Sequence, residues 1–124
     1  MKIEPAISFR GVPEEPGLEE KVRRRALRLD RYYEGIQRCQ VWVEAPHGHH
    51  RQGRLYEVRI RLTVPEGEIV VDGQPQSDDV SIALRSAFDA ARRQLEDYAR
   101  RRRGDVKARR GRAVPPPAEE EGGV

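Results

Sequence analysis

"LYEVRIRLTVPEGEIVVD", Leu55 to Asp72, decides the architecture. Tyr56, Val58, Ile60, Leu62 and Val64 alternate with Glu57, Arg59, Arg61 and Thr63. Side chains on a strand point alternately to opposite faces, so the pattern predicts a strand with one face buried and the other in water. "PEG" at 65–67 then predicts a hairpin turn into a further strand, "EIVVD".

Upstream, "IQRCQVWVE" at 36–44 puts Cys39, Val41 and Val43 on one face and Gln40, Trp42 and Glu44 on the other. In "KIEPAISF", residues 2–9, Ile3, Pro5, Ile7 and Phe9 share one side of a first strand. Pro5 has no N–H for a ladder, which places that strand at a sheet edge. Leu18, Val22, Ala26, Leu29 and Tyr33 recur at helical spacing and predict a helix from about Leu18 to Tyr33, stopped by Gly35. A second helix is predicted from about Asp79 to Arg103, with Val80, Leu84, Ala87, Phe88, Ala91, Leu95 and Tyr98 as its stripe. Ser77, Asp78 and Asp79 are the candidate caps.

The order is βαβββα. Strands that alternate leave one sheet face to water, so both helices are expected on the other. The fold class is two-layer α+β, a four-stranded sheet with both helices on one face. If the first two strands are parallel neighbours, the crossover between them is expected to be right-handed. Residues 1–104 form the expected domain. Residues 105–124 form a mobile basic arm followed by a disordered tail, because "AVPPPAEEEGGV" has no apolar period.

A chain of 124 residues fits one domain, and 36% hydrophobic against 36% charged residues describes a small core under a charged surface. The formal net charge is only +3, but Glu119, Glu120 and Glu121 crowd into the tail. Of the 24 basic residues only Lys2, Lys21 and Lys107 are lysine; the rest are arginine, whose planar fork suits phosphate oxygens. No apolar run of membrane-spanning length and no signal peptide pattern appears, so a cytoplasmic protein with no membrane partner is expected.

On a helical wheel Lys21, Arg24, Arg25, Arg28 and Arg31 cluster on an arc beside the first apolar stripe, with Tyr32 among them and Glu20 at the border. A solvated face ordinarily mixes signs at i,i+4. This arc does not, which favours a polyanion partner. On the second helix Arg85, Asp89, Arg93 and Asp97 alternate in sign, as do Arg92, Glu96 and Arg100, so that face is expected to satisfy itself. From Arg100 to Arg112 eight basic residues accumulate against Asp105 alone, more than a helix dipole can use.

His47, His49 and His50 in "HGHH" lack a nearby Cys or acid at a familiar metal spacing, so no metal is expected there. Cys39 is the sole cysteine and alternates with Val41 and Val43, which marks a core thiol. Trp42 is expected to pack against a neighbouring strand or loop. There is no glycine-rich phosphate loop, catalytic triad or carboxylate pair, so no catalytic residue, cofactor or small-molecule substrate is expected.

"LDRYYEGIQRCQVWVE", "LYEVRIRLTVPEGEIVV" and "DDVSIALRSAFDAARRQLEDYARRRRGDVK" resemble the ribosome hibernation-promoting factors, also called ribosome-associated translation inhibitors or ribosomal subunit interface proteins. The resemblance spans roughly residues 1–108. It implies the same βαβββα fold and a partner in the small ribosomal subunit and its rRNA. Such proteins occupy the channel of mRNA and tRNA, block translation and preserve idle ribosomes under stress. Carried over by residue, the RNA-binding set is Lys21, Arg24, Arg25, Arg28 and Arg31 on the first helix. On the second it is Arg85, Arg92, Arg93, Arg100, Arg101, Arg102 and Arg103. The basic run itself, not the resemblance, adds Lys107, Arg109 and Arg110 to the RNA-binding candidates. Ser81 replaces a Tyr common in relatives, which removes any contact made by that ring. The Pro- and Glu-rich tail stands where long members carry a domain that pairs ribosomes, so joining two ribosomes through this tail is not expected. A monomer when free is expected. The rival readings are a generic double-stranded-RNA-binding module and a protein-interaction module using Trp42 on the outer sheet face.

Overall fold

The computed structural model describes residues 4–13, 15–45, 55–73 and 76–111, and of 105–111 the backbone alone. Four strands, β1 (Ala6–Arg10), β2 (Arg38–Glu44), β3 (Glu57–Val64) and β4 (Gly67–Val71), form one sheet in the order β1-β2-β3-β4. β1 runs parallel to β2, and the other two pairs are antiparallel. Helix α1 (Leu18–Arg28) makes the crossover from β1 to β2, and α2 (Val80–Gly111) follows β4. The α+β class and the element order are those read from the sequence.

Strand parity is as the alternation predicts. Val58, Ile60, Leu62 and Val64 are buried while Arg61 is exposed and Arg59 half-buried. Across the ladder Ile60 faces Val41 and Val71, and Leu62 faces Cys39 and Ile69, so one face of the sheet is continuously apolar. Leu18, Val22, Ala26 and Leu29 on one side, and Leu84, Ala87, Phe88, Ala91 and Leu95 on the other, join that face in a single core. α1 packs against β1 and α2 against β3 and β4, so the two helices lie side by side on the same sheet face. Ala83, Ala90 and Ala99 are also buried, which widens the α2 stripe beyond its large residues.

Three boundaries differ from expectation. β1 begins at Ala6, with Pro5 buried just ahead of it; Ile3 lies outside the described residues. Phe9 faces inward by its pairing with Val43, yet an edge strand leaves it 37% exposed. The first helix gives way at Leu29 to a 3-10 turn, Leu29–Arg31, in which the Tyr32 N–H donates to the Leu29 carbonyl at 3.0 Å. Such tightening is common in a last turn, and the apolar spacing cannot distinguish it from α-helix. The second helix runs through Gly104 to Gly111, not to Arg103. A glycine inside a helix costs about 1 kcal/mol relative to alanine, and its Arg, Lys and Ala neighbours are strong helix formers, so one glycine does not break it.

The starts are better specified. At α1 the cap position is Gly17, at φ +83°, a left-handed conformation costly for other residues. At α2, Asp79 is the cap among the three candidates. Its carboxylate accepts from the Ser81 N–H at 2.8 Å, and its carbonyl accepts the first helical bond from Ala83 N–H at 3.0 Å.

Among the described side chains of α2, Ala99 is the last that is buried. At about 1.5 Å per residue, Arg100–Gly111 carries the helix roughly 18 Å past Ala99.

Candidate nucleic-acid interface

Because α1 and α2 lie side by side, their facing flanks meet in a valley. Arg25 and Arg28 reach into it from α1, and Asp89 and Arg92 from α2, lining a notch of about 120 Å³ above Leu29 and Phe88. The Arg92 guanidinium lies 5.9 Å from the centroid of the Tyr32 ring. Its Nε is shut off from solvent and has no acceptor among the described residues. A buried donor left unmet is costly, so this nitrogen is a point of local instability in the notch wall.

At 100° per residue Arg85, Arg92 and Arg103 fall on one line of α2, so Arg85 and Arg103 continue the valley flank on which Arg92 sits. Arg93 and Arg101 are turned away from Arg85 by roughly 80° and 160°. The expected self-pairing of this helix does not form. Among the described residues no ion pair within 4.0 Å joins Arg85, Asp89 and Arg93, or Arg92 and Glu96. Only Asp97 pairs, with Arg100. Exposed i,i+4 pairs are worth a few tenths of a kcal/mol, too little to hold long side chains together.

On α1 the outcome is the reverse. Arg24 Nε lies 3.8 Å and Arg23 Nη1 3.7 Å from Glu20, so the acid at the border of the arc is engaged. Arg23 also binds Glu4 bidentately, which holds the Glu4 carboxyl below the usual carboxylate range and raises the Arg23 guanidinium above its own. Among the described residues Lys21, Arg25, Arg28 and Arg31 have no carboxylate within 4.0 Å. All but Arg25 are exposed.

Where the 3-10 turn passes the last core turn of α2, Arg31, Tyr32, Tyr33, Ala99 and Arg103 line an open cleft of about 560 Å³. Tyr33 meets Tyr98 edge to face, centroids 5.1 Å apart at 89°. A Cβ at Gly35 would stand 2.6 Å from the Tyr33 hydroxyl, so glycine there lets the ring fold back over the chain. Arg102 is held differently from its neighbours: its Nη1 is 3.0 Å from Glu66 in the β3–β4 turn, and its guanidinium is 5.9 Å from the Tyr98 ring. Burial, reinforced by Tyr33, pushes the Tyr98 hydroxyl up, and Tyr98 in turn raises Arg102.

The predicted set is therefore partly gathered. Arg25, Arg28 and Arg92 converge; Arg31, Arg102 and Arg103 share the cleft; Lys21 and Arg24 stand outside both. The helical backbone carries Lys107, Arg109 and Arg110, but their side chains lie outside the described residues, as do Arg112 and the loop of His47, His49 and His50. Sequence reasoning placed Tyr32 on the basic arc but missed Tyr33 and Tyr98 as a cluster. The tandem "YY" ahead of Gly35 was the available signal.

Elsewhere the polar groups are tied up locally. Cys39 is buried in the core, and burial pushes its thiol up to about 12. On the outer sheet face Arg59 and Arg61 lie 5.2 and 5.9 Å from the Trp42 ring, and pair with Glu44 and Glu68 at 3.2 and 3.8 Å. Trp42 thus packs against its neighbouring strand. Among the described residues no cluster of His, Cys, Asp or Glu is placed to hold a metal, and no helix is long and apolar enough to cross a membrane.

Fold and surface together define a small two-layer α+β domain whose helical layer turns arginine and tyrosine to solvent. Residues 6–103 match the family described as Sigma 54 modulation protein / S30EA ribosomal protein, and the chain belongs to that family. Among solved structures it is similar to the N-terminal domain of Thermus thermophilus Protein Y, at 20% identity and TM-score 0.62, over 79% of this chain and 99% of that one. It is likewise similar to a ribosomal subunit interface protein from Coxiella burnetii, at 16% identity and TM-score 0.62, over 78% and 98%. No curated protein sequence matches.

Proposed function

We infer that this protein binds the small ribosomal subunit and acts by occupancy, as a hibernation and translation-inhibition factor of the cytoplasm. The domain sits in the channel used by mRNA and tRNA, with its helical layer against rRNA phosphates, and its chemistry is binding without catalysis. Family membership and the Coxiella burnetii relative, whose description is a ribosomal subunit interface protein, support the partner. The observation that carries the mechanism is the convergence of Arg25, Arg28 and Arg92 from two helices on one notch. Phosphate contacts release counterions and supply affinity, while fit to the ribosome supplies selectivity. The basic residues beyond Gly104, Lys107, Arg109 and Arg110, add to the attraction for rRNA.

Sedimentation of the full chain with purified small subunits through sucrose tests this reading. The protein is expected to travel with the subunit and to stay there when duplex RNA is added in excess. Complete transfer to the duplex would make it a generic duplex binder, and failure to sediment with the subunit would refute the reading.

A further inference from the structure

β1 ends the sheet, so one of its sides has no strand beside it. The Ala45 N–H donates to the Arg10 carbonyl at 2.9 Å, which turns the main-chain groups of Arg10 toward β2. Successive residues of a strand turn these groups to opposite sides, so Ala6 and Ser8 also bond to β2. The N–H and C=O of Ile7 and Phe9 therefore face the open edge, a row of groups suited to a further strand. Beside this edge, on the helical side of the sheet, Phe9, Val12, Pro13 and Leu18 line a pocket of about 270 Å³ with Glu15 and Glu19 in its wall. Among the described residues neither carboxylate has a cation within 4.0 Å, although Glu20 next along holds Arg23 and Arg24. An acid in the first turn of a helix needs no ligand. Here the acids flank an apolar pocket next to open main-chain groups, and the three features together describe one occupant.

We propose that the β1 edge is a docking site for an extended, positively charged polypeptide segment, which adds a strand to the sheet and places a lysine or arginine side chain in the pocket. The partner's main chain completes the ladder at Ile7 and Phe9 and supplies affinity, while the pocket supplies specificity. Directly opposed residues share a sheet face, so the partner residue beside Phe9 turns its side chain to the helical side, where the pocket lies. A lysine or arginine there lays its aliphatic stem on Val12, Pro13 and Leu18 and carries its cation to Glu15 and Glu19. A nucleic acid does not fit, because the carboxylates repel its phosphates and it has no peptide groups for the ladder. Leu18 at the pocket and Arg28 at the notch are about 15 Å apart along α1. A protein neighbour on the edge and RNA on the helical layer can therefore be held at once, and the inference stands independently of the RNA-binding reading.

The test uses the full chain and a labelled heptapeptide that alternates lysine with valine, followed by fluorescence anisotropy. One comparator is the same peptide N-methylated at each lysine, which keeps the charge and removes the N–H groups that would pair. The other carries glutamate in place of lysine. The unmodified peptide should bind about 5- to 150-fold more tightly than the N-methylated one, the range for two backbone hydrogen bonds, and the glutamate peptide should not bind. Glu15→Gln with Glu19→Gln should weaken the lysine peptide about 2- to 30-fold. Glu57→Gln with Glu68→Gln removes the same charge from the outer sheet face, where the ladder places both, and should change binding by less than about 2-fold. Melting curves establish folding, and the wild-type comparison decides alone should the first variant fold poorly. Equal affinity for the N-methylated peptide would remove the edge from the site, and equal losses in the two variants would reduce the pocket to diffuse attraction; either result overturns the proposal. Dimerisation of the free chain that the peptide reverses would assign the edge to a second copy and overturn it as well.

Discussion

Neutralising Arg25, Arg28 and Arg92 together, as Arg25→Gln, Arg28→Gln and Arg92→Gln, should remove three phosphate contacts at one stroke. Each contact contributes roughly 0.7 to 0.9 to the slope of log affinity against log salt, so the slope should flatten by about 2.1 to 2.7. At about 0.1 M salt the same term implies an affinity loss of roughly 100- to 500-fold. Net charge falls by three in this variant, and charge alone steers association. The control is therefore Arg10→Gln, Arg38→Gln and Arg61→Gln, which removes the same charge from the outer sheet face, where the ladder places all three. Titration of labelled protein with small subunits at several salt concentrations, with melting curves to establish folding, reads both. If the control flattens the slope as much as the notch variant, attraction is diffuse and the valley between the helices has no privileged role.

Three further outcomes follow from the packing. Ile60→Ala removes a wholly buried side chain at the centre of the sheet and should destabilise by about 2–5 kcal/mol in urea unfolding; a loss under about 1 kcal/mol would mean that the core collapses around the gap. Arg59→Ala forfeits a half-buried stacking contact and one ion pair, together about 1 kcal/mol, so it should unfold well after Ile60→Ala. Gly104→Ala meets open space and, in a continuous helix, should raise helical circular dichroism and add up to about 1 kcal/mol; no gain in helicity would place the helix end before that residue. Alkaline stability has a defined sign. The Cys39 thiol is raised by burial from its ordinary 9.0 to about 12, and Tyr98 is raised as well, so their stabilisation is complete below about pH 9 and lost as pH climbs toward 12. Melting temperature against pH checks this, and a Cys39→Ala variant with an unchanged alkaline limb would remove the thiol from the account.

The strands were legible because a period of two, with Val, Ile and Leu opposite Arg, Glu and Thr, admits one register over β2, β3 and β4. β1 was less so, since an edge strand needs only a partial apolar side and Phe9 remains accessible. Both helix ends were misplaced for local reasons. Leu29 keeps helical spacing inside a 3-10 turn, and Gly104 looks like a stop while its neighbours hold the helix together. The basic arc of α1 could be drawn on a wheel, but the notch could not. Arg28 and Arg92 are joined by tertiary packing, and their meeting depends on both helices choosing the same sheet face with neighbouring flanks inward. The apparent charge balance of α2 misled because sequence spacing records opportunity for an ion pair, whereas exposed arginines are governed by solvation and rotamer freedom.

The single tryptophan, Trp42, lies on the outer sheet face under Arg59 and Arg61, with the apolar core between it and the helical layer. Its indole is thereby an optical probe insulated from the opposite surface. Emission should change when the sheet comes apart and stay constant when a nucleic acid settles on the helices. Denaturant and RNA titrations can then be followed in one cuvette without cross-talk, and a fluorescent group attached at Lys21 would supply the complementary channel for docking.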